Sequence, residues 1–190
     1  MFNTIFRRGL AILAGLVLVA GLGVASATAA SAADDAGMVL DDGTAASAVL
    51  YYPLHNYNSD LCLGISGGTA TAGKPAIQWT CNFSKTQSWG FPRTTNGYVR
   101  ANNLFNLCLD VNGASKAAGA AVIQWHCNGG ANQQWYPRII RSYPFVYNLV
   151  NRNSGMCLDV KGASKAAGAV VIQWPCNGGT NQEWFLTRGI

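Results

Sequence analysis

The chain has 190 residues, of which 49% are hydrophobic and 11% charged, with 13 Lys and Arg against 8 Asp and Glu for a net charge of +5. That balance is too apolar for a disordered polyelectrolyte, and the basic residues are scattered rather than gathered into the stripe that a nucleic-acid surface needs. Nucleic acid is therefore excluded as a partner.

The first predicted element spans residues 1–32. Arg7 and Arg8 precede an apolar run over 9–24, and small residues follow as far as Ala30, Ser31 and Ala32; this is the layout of a secretory signal peptide. Cleavage is expected after Ala32, with Ala27 as the alternative. The run falls short of the ~20 residues of a bilayer span, so no membrane insertion is expected and the protein reads as secreted and extracellular. Residues 33–48 hold Asp34, Asp35, Asp41 and Asp42 among small residues and read as a flexible lead segment, too polar to bury much area. The rest, 49–190, is the size of one domain with one core.

Within that domain three blocks align without a gap, at 61–89, 107–135 and 156–184, and the second and third differ at only six of 29 positions. Each block runs Cys-Leu, a Gly-containing turn, Ile-Gln-Trp, one residue, Cys-Asn, and finally Gln-x-Trp. The repeats they belong to cover about 49–94, 95–141 and 142–190. Helical spacing of apolar residues is missing. Instead, short runs rich in β-branched and aromatic residues alternate with Gly, Asn and Ser. In repeat 2 strands are expected at 98–102, 107–111, 121–125 and 133–136. Four strands in each of three units predict an all-β chain of about 12 short strands, a β-trefoil with pseudo-threefold symmetry, since three units are too few to close a propeller.

All six cysteines belong to the repeat: Cys62 and Cys81, Cys108 and Cys127, Cys157 and Cys176. In an exported chain they point to disulfides. Fifteen pairings are open to six cysteines, and the repeat favours one bridge inside each block, closing a loop of about 20 residues and contributing ~3 kcal/mol. No metal site or other cofactor is expected, because His55 and His126 fall at no repeating position from which to join cysteine ligands.

Cys-Leu-Asp-Val, then Cys-Asn-Gly-Gly, then Gln133-Gln134-Trp135 or Gln182-Glu183-Trp184 resembles the ricin-B-type lectin family. These are the Gln-x-Trp β-trefoils, which are also appended to secreted bacterial glycosidases. The resemblance covers about residues 50–190. It implies carbohydrate binding in shallow pockets, up to one per repeat, with galactose-like or xylose-based glycans as the expected partner. A sugar offers an apolar C–H face and a rim of hydroxyls, so its pocket wants one exposed aromatic plane and a few fixed polar groups. On the resemblance, Asp110 accepts from two neighbouring hydroxyls and Trp125 stacks on the ring. Asn132 hydrogen-bonds the same hydroxyls, and Gln133 holds Asp110 or touches the sugar. Asp159, Trp174, Asn181 and Gln182 are the equivalents in repeat 3. Repeat 1 has Gly64 in place of the Asp and Thr86 in place of the Asn, keeping Trp79 and Gln87, and is expected to be silent or weakened. Relatives commonly carry Gln where Ile77, Ile123 and Ile172 stand. Gln78, Gln124 and Gln173 sit one place later and by strand alternation face the other way, which removes a hydroxyl contact.

Other roles stay open for several of these residues. Trp89, Trp135 and Trp184 are expected in the core, while Trp79, Trp125 and Trp174 could pack over the disulfides instead of stacking on a ligand. Asp110 and Asp159 could cap turns, and Gln133 and Gln182 could be structural, tying backbone together and supporting the site from behind. Catalysis is not expected: the carboxylates are Asp60, Asp110, Asp159 and Glu183, and symmetry separates the two repeated ones well beyond the ~5–10 Å that glycoside hydrolysis uses. Two rival readings are a protein-interaction trefoil, such as a secreted hydrolase inhibitor, and the binding subunit of a complex with a secreted partner protein. His126, Asn128, Pro175 and Asn177 are the loop residues expected to set which sugar fits.

Overall fold

The computed structural model describes residues 49–95 and 97–187; the expected signal peptide and lead segment lie outside the described residues. Among the described residues thirteen strands follow one another. Repeat 1 holds β1 (Tyr52–Asn56), β2 (Cys62–Ile65), β3 (Ala76–Trp79) and β4 (Ser88–Gly90). Repeat 2 holds β5 (Val99–Arg100), β6 (Asn102–Asn103), β7 (Leu107–Val111), β8 (Val122–His126) and the start of β9 (Gln134–Ser142). Repeat 3 holds β10 (Phe145–Asn151), β11 (Cys157–Val160), β12 (Val171–Trp174) and β13 (Trp184–Leu186). The expected strand at 98–102 is divided into β5 and β6. The chain changes partner at buried Ala101: Val99 pairs with Trp135 of β9, whereas Asn102 pairs with Gly90 and Cys108, and the Ala101 carbonyl accepts the Leu109 N–H.

The three hairpins β2–β3, β7–β8 and β11–β12 share one register, with Leu63 opposite Gln78, Leu109 opposite Gln124 and Leu158 opposite Gln173. Alternation along a strand sends successive side chains to opposite faces. Leu63, Leu109 and Leu158 are accordingly buried in the core, and the next residue, Gly64, Asp110 or Asp159, lies opposite Ile77, Ile123 or Ile172 on the other face. Trp89, Trp135 and Trp184 are fully buried in that core. A buried indole needs a partner for its N–H, and each finds the same one: Nε1 donates to the carbonyls of Leu63, Leu109 and Leu158 at 3.0, 3.1 and 3.0 Å. Each disulfide closes within its repeat, Cys62–Cys81, Cys108–Cys127 and Cys157–Cys176.

Gln78, Gln124 and Gln173 turn away from the Ile77, Ile123 and Ile172 face and join the repeats to one another. Each is fully buried. Gln78 Nε2 donates to the carbonyls of Ser164 and Ala166, Gln124 to those of Thr69 and Thr71, and Gln173 to those of Ser115 and Ala117, at 2.7–3.0 Å. Repeat 1 thus clasps repeat 3, repeat 2 clasps repeat 1, and repeat 3 clasps repeat 2. The amide oxygens are used as well, accepting from Ser59, Asn103 and Ser154.

Candidate functional site

Each hairpin presents a hollow on its outer face, walled by the Asp110 position, the isoleucine opposite it and the exposed tryptophan at the end of the second strand. Trp125 and Trp174 are each 42% exposed and Trp79 46%, which sets aside packing over the disulfides for most of each ring. One edge of each indole rests on a glycine of another repeat: Trp125 over Gly73, Trp174 over Gly119 and Trp79 over Gly168. These glycines have φ of +85°, +82° and +88°, a conformation that costs other L-residues about 1–2 kcal/mol. The aromatic shelf of each pocket therefore leans on its neighbour.

In repeat 2 the pocket floor is Ile123 and the acid is Asp110, which is only 4% exposed yet lines the hollow. Its Oδ2 accepts from Asn132 Nδ2 at 2.9 Å and Gln133 Nε2 at 2.8 Å. Repeat 3 reproduces this geometry, with Asn181 and Gln182 donating to Asp159 Oδ2 at 2.9 and 2.8 Å. In both, Oδ1 receives neither bond. Burial pushes both carboxyls above the ordinary carboxylate range, and the hydrogen bonds from the glutamine and asparagine pull partly back.

The expected site residues divide into two kinds. Trp125, Asp110 and Asn132, and likewise Trp174, Asp159 and Asn181, come together at one hollow. Gln133 and Gln182 are fully buried and their amides are spent: Nε2 also donates to the carbonyl of His126 or Pro175, and Oε1 accepts the N–H of Asn128 or Asn177. They hold the acid in place. Both N–H bonds of Asn132 are committed as well, to Asp110 and the Val111 carbonyl, so it offers a ligand only an acceptor. Asn128 and Asn177, flagged in the sequence only as loop residues, line the pockets with Oδ1 tied to the N–H of Gly130 or Gly179. That fixes each asparagine with its Nδ2 available as the donor that Asn132 lacks. His126 and Pro175 are exposed beside the pockets and give their carbonyls to Gln133 and Gln182, and the His126 ring also packs edge-on against Trp125, with centroids 5.9 Å apart.

The hollow of repeat 1 is open too, at about 450 Å³, and keeps Trp79, Ile77 and Asn82. It has no carboxylate. A Cβ on Gly64 would stand 3.1 Å from Gln87 Cγ, and Gln87 Nε2 donates to the Thr80 carbonyl alone. Among the described residues the one grouping of possible metal ligands is His55 with Cys62 and Cys81, and both sulfurs are locked in a disulfide rather than free as the thiolates that bind metal.

The sequence matches a family described as ricin-type beta-trefoil lectin domain-like, over residues 39–125, 86–174 and 131–189. Among solved structures it is similar to the designed 3-fold symmetric protein ThreeFoil, at 37% identity over 73% of this chain and 98% of that one, with a TM-score of 0.68. It is also similar to 1,3Gal43A, an exo-beta-1,3-galactanase from Clostridium thermocellum, at 35% identity over 72% of this chain and 30% of that one, with a TM-score of 0.69. The hemolytic lectin CEL-III is 26% identical over 74% of this chain and 30% of its own length, with a TM-score of 0.61. No match was found among curated proteins. With family matches overlapping across all three repeats and a trefoil of 37% identity covered nearly end to end, the chain belongs to the ricin-type beta-trefoil lectin-like family.

Proposed function

We propose that this protein is a secreted carbohydrate-binding protein that engages galactose-like or xylose-based glycans through the pockets of repeats 2 and 3, with repeat 1 contributing little. One observation carries the reading: an indole over 40% exposed shares its pocket with a carboxylate whose oxygen is fixed by two side chains, and the pair occurs twice with the same distances. That is an apolar plane beside an aimed acceptor, the combination a sugar ring requires. Each pocket carries a single acid, which favours binding over two-carboxylate hydrolysis. The galactanase relative supports galactose-containing polymers among the candidates.

Intrinsic tryptophan fluorescence titrated with galactose, xylose and their oligomers tests this, because the proposed stacking ring is the reporter. Single Asp110→Ala or Asp159→Ala substitution is expected to remove one class of site, and the double variant all binding. Retained binding in the double variant defeats the assignment. Two weak sites on one chain gain by avidity on a polymer, so binding to insoluble xylan or galactan should fall more steeply than binding to monomers when either acid is lost. Export is checked by N-terminal sequencing of protein recovered from culture medium, expected to begin at Ala33.

A second reading, recognition of a secreted partner protein, is favoured by the β9–β10 hairpin, which exposes Ile139, Ile140 and, at 92%, Tyr143. Copurification lost on Ile139→Ser with Ile140→Ser, and untouched by the acid substitutions, would mark that surface instead.

A further inference from the structure

The pockets of repeats 2 and 3 are close to copies. Eight wall positions of the repeat 2 pocket recur one for one in repeat 3, and seven of them hold the same residue. The eighth is Asn112 in repeat 2 and Lys161 in repeat 3, with Ser66 in the repeat 1 pocket. Among these eight positions the one substitution exchanges a neutral amide for a positive charge.

Among the described residues that charge has no counter-ion. The ion pairs among the described residues are His55 with Asp60 and Arg141 with Glu183. Asp159, the acid of the same pocket, is engaged through Oδ2 by Asn181 and Gln182 and forms no ion pair with Lys161. Lys161 is exposed and sits next to Gly162 and Ala163, small residues that leave its long stem free to carry the ammonium over the rim. An unpaired ammonium at the mouth of a pocket made for neutral hydroxyls adds attraction for an anion held close to the bound ring.

Building on the proposed function, we infer that repeat 3 prefers a sugar carrying an anionic substituent, a carboxylate or a sulfate, while repeat 2 takes the neutral sugar. An exposed ion pair of this kind is worth about a two- to fivefold difference in affinity at low salt, and added salt screens it.

Calorimetric titration of the full chain tests this with four probes: neutral and glucuronic-acid-substituted xylo-oligosaccharides, and neutral and sulfated galacto-oligosaccharides. In the Asp110→Ala background, which isolates repeat 3, the charged probe should bind about two to five times more tightly than its neutral partner. Lys161→Asn should bring that ratio to one. In the Asp159→Ala background, Asn112→Lys should create the same preference in repeat 2. A preference for one anion only supports the inference and identifies the source. A ratio unchanged by Lys161→Asn overturns it while leaving carbohydrate binding intact, and failure of every probe with the unaltered protein overturns both readings together.

Discussion

Gln133 and Gln182 never meet solvent, yet they decide where the acid of each pocket points. Each amide makes three hydrogen bonds, one to the carboxylate, one to a carbonyl across the turn and one from a backbone N–H. Gln133→Leu keeps much of the volume and removes all three, leaving Asp110 with Asn132 alone. A buried polar group deprived of its partner costs about 1–3 kcal/mol, and urea denaturation should register a loss of that size together with weaker binding in repeat 2. The carboxyls themselves predict a pH response. Burial raises both, so the ionised acceptor disappears at a higher pH than an exposed carboxylate would lose it, and binding should decline early on acidification. For stability the sign is opposite. A carboxyl whose folded value is raised holds its proton more tightly folded than unfolded, so its contribution favours the fold below its unfolded value and is lost as pH rises through the folded one. Acidification through this window should therefore weaken binding while the thermal midpoint gains from these two groups; a fall in binding that only tracks unfolding would contradict the assignment. The acid and indole were legible from the motif alone. The glutamine was legible only as one of two roles, holding the acid or touching the sugar, because burial separates them and the motif does not record burial.

At the level of strands and turns, the pockets depend on contacts between repeats. Trp125 of repeat 2 rests on Gly73 of repeat 1, at φ +85°. Gly73→Ala would set a Cβ 3.5 Å from the indole, which space allows, but the backbone conformation costs about 1–2 kcal/mol. Relaxation of that turn should tilt Trp125, so weaker binding in repeat 2 is expected from a substitution in repeat 1, visible as a shifted Trp125 emission in a variant that still folds. The hairpins and disulfides could be read from the sequence, since alternation and cysteine spacing are local signals. The break between β5 and β6 could not, because 98–102 looks like one strand and only the competing partners β9 and β4 divide it. Gln78, Gln124 and Gln173 were legible only in their facing; the carbonyls they clasp lie 53–88 residues away.

For the molecule as a whole, three bridges each close a loop with a sequence separation of 19. At ~3 kcal/mol per loop, together they rival the ~5–15 kcal/mol that separates a folded domain from its unfolded chain. Reduced and alkylated protein is expected to lose its near-ultraviolet circular dichroism at 37 °C; a reduced form that keeps it would mean the core and the clasps suffice alone. Fold class and repeat count followed from the sequence because symmetry states the same message three times. The thirteenth strand and the shared pocket walls did not, being properties of assembly.

The glutamine clasps run in a circle, and a circle has no end piece. Repeat 1 has lost its acid, but Gln124 still grips its carbonyls at 69 and 71 and its own Gln78 still grips repeat 3. The repeat whose pocket has no carboxylate is thus held at both seams, and its buried joints buttress the two pockets that have one.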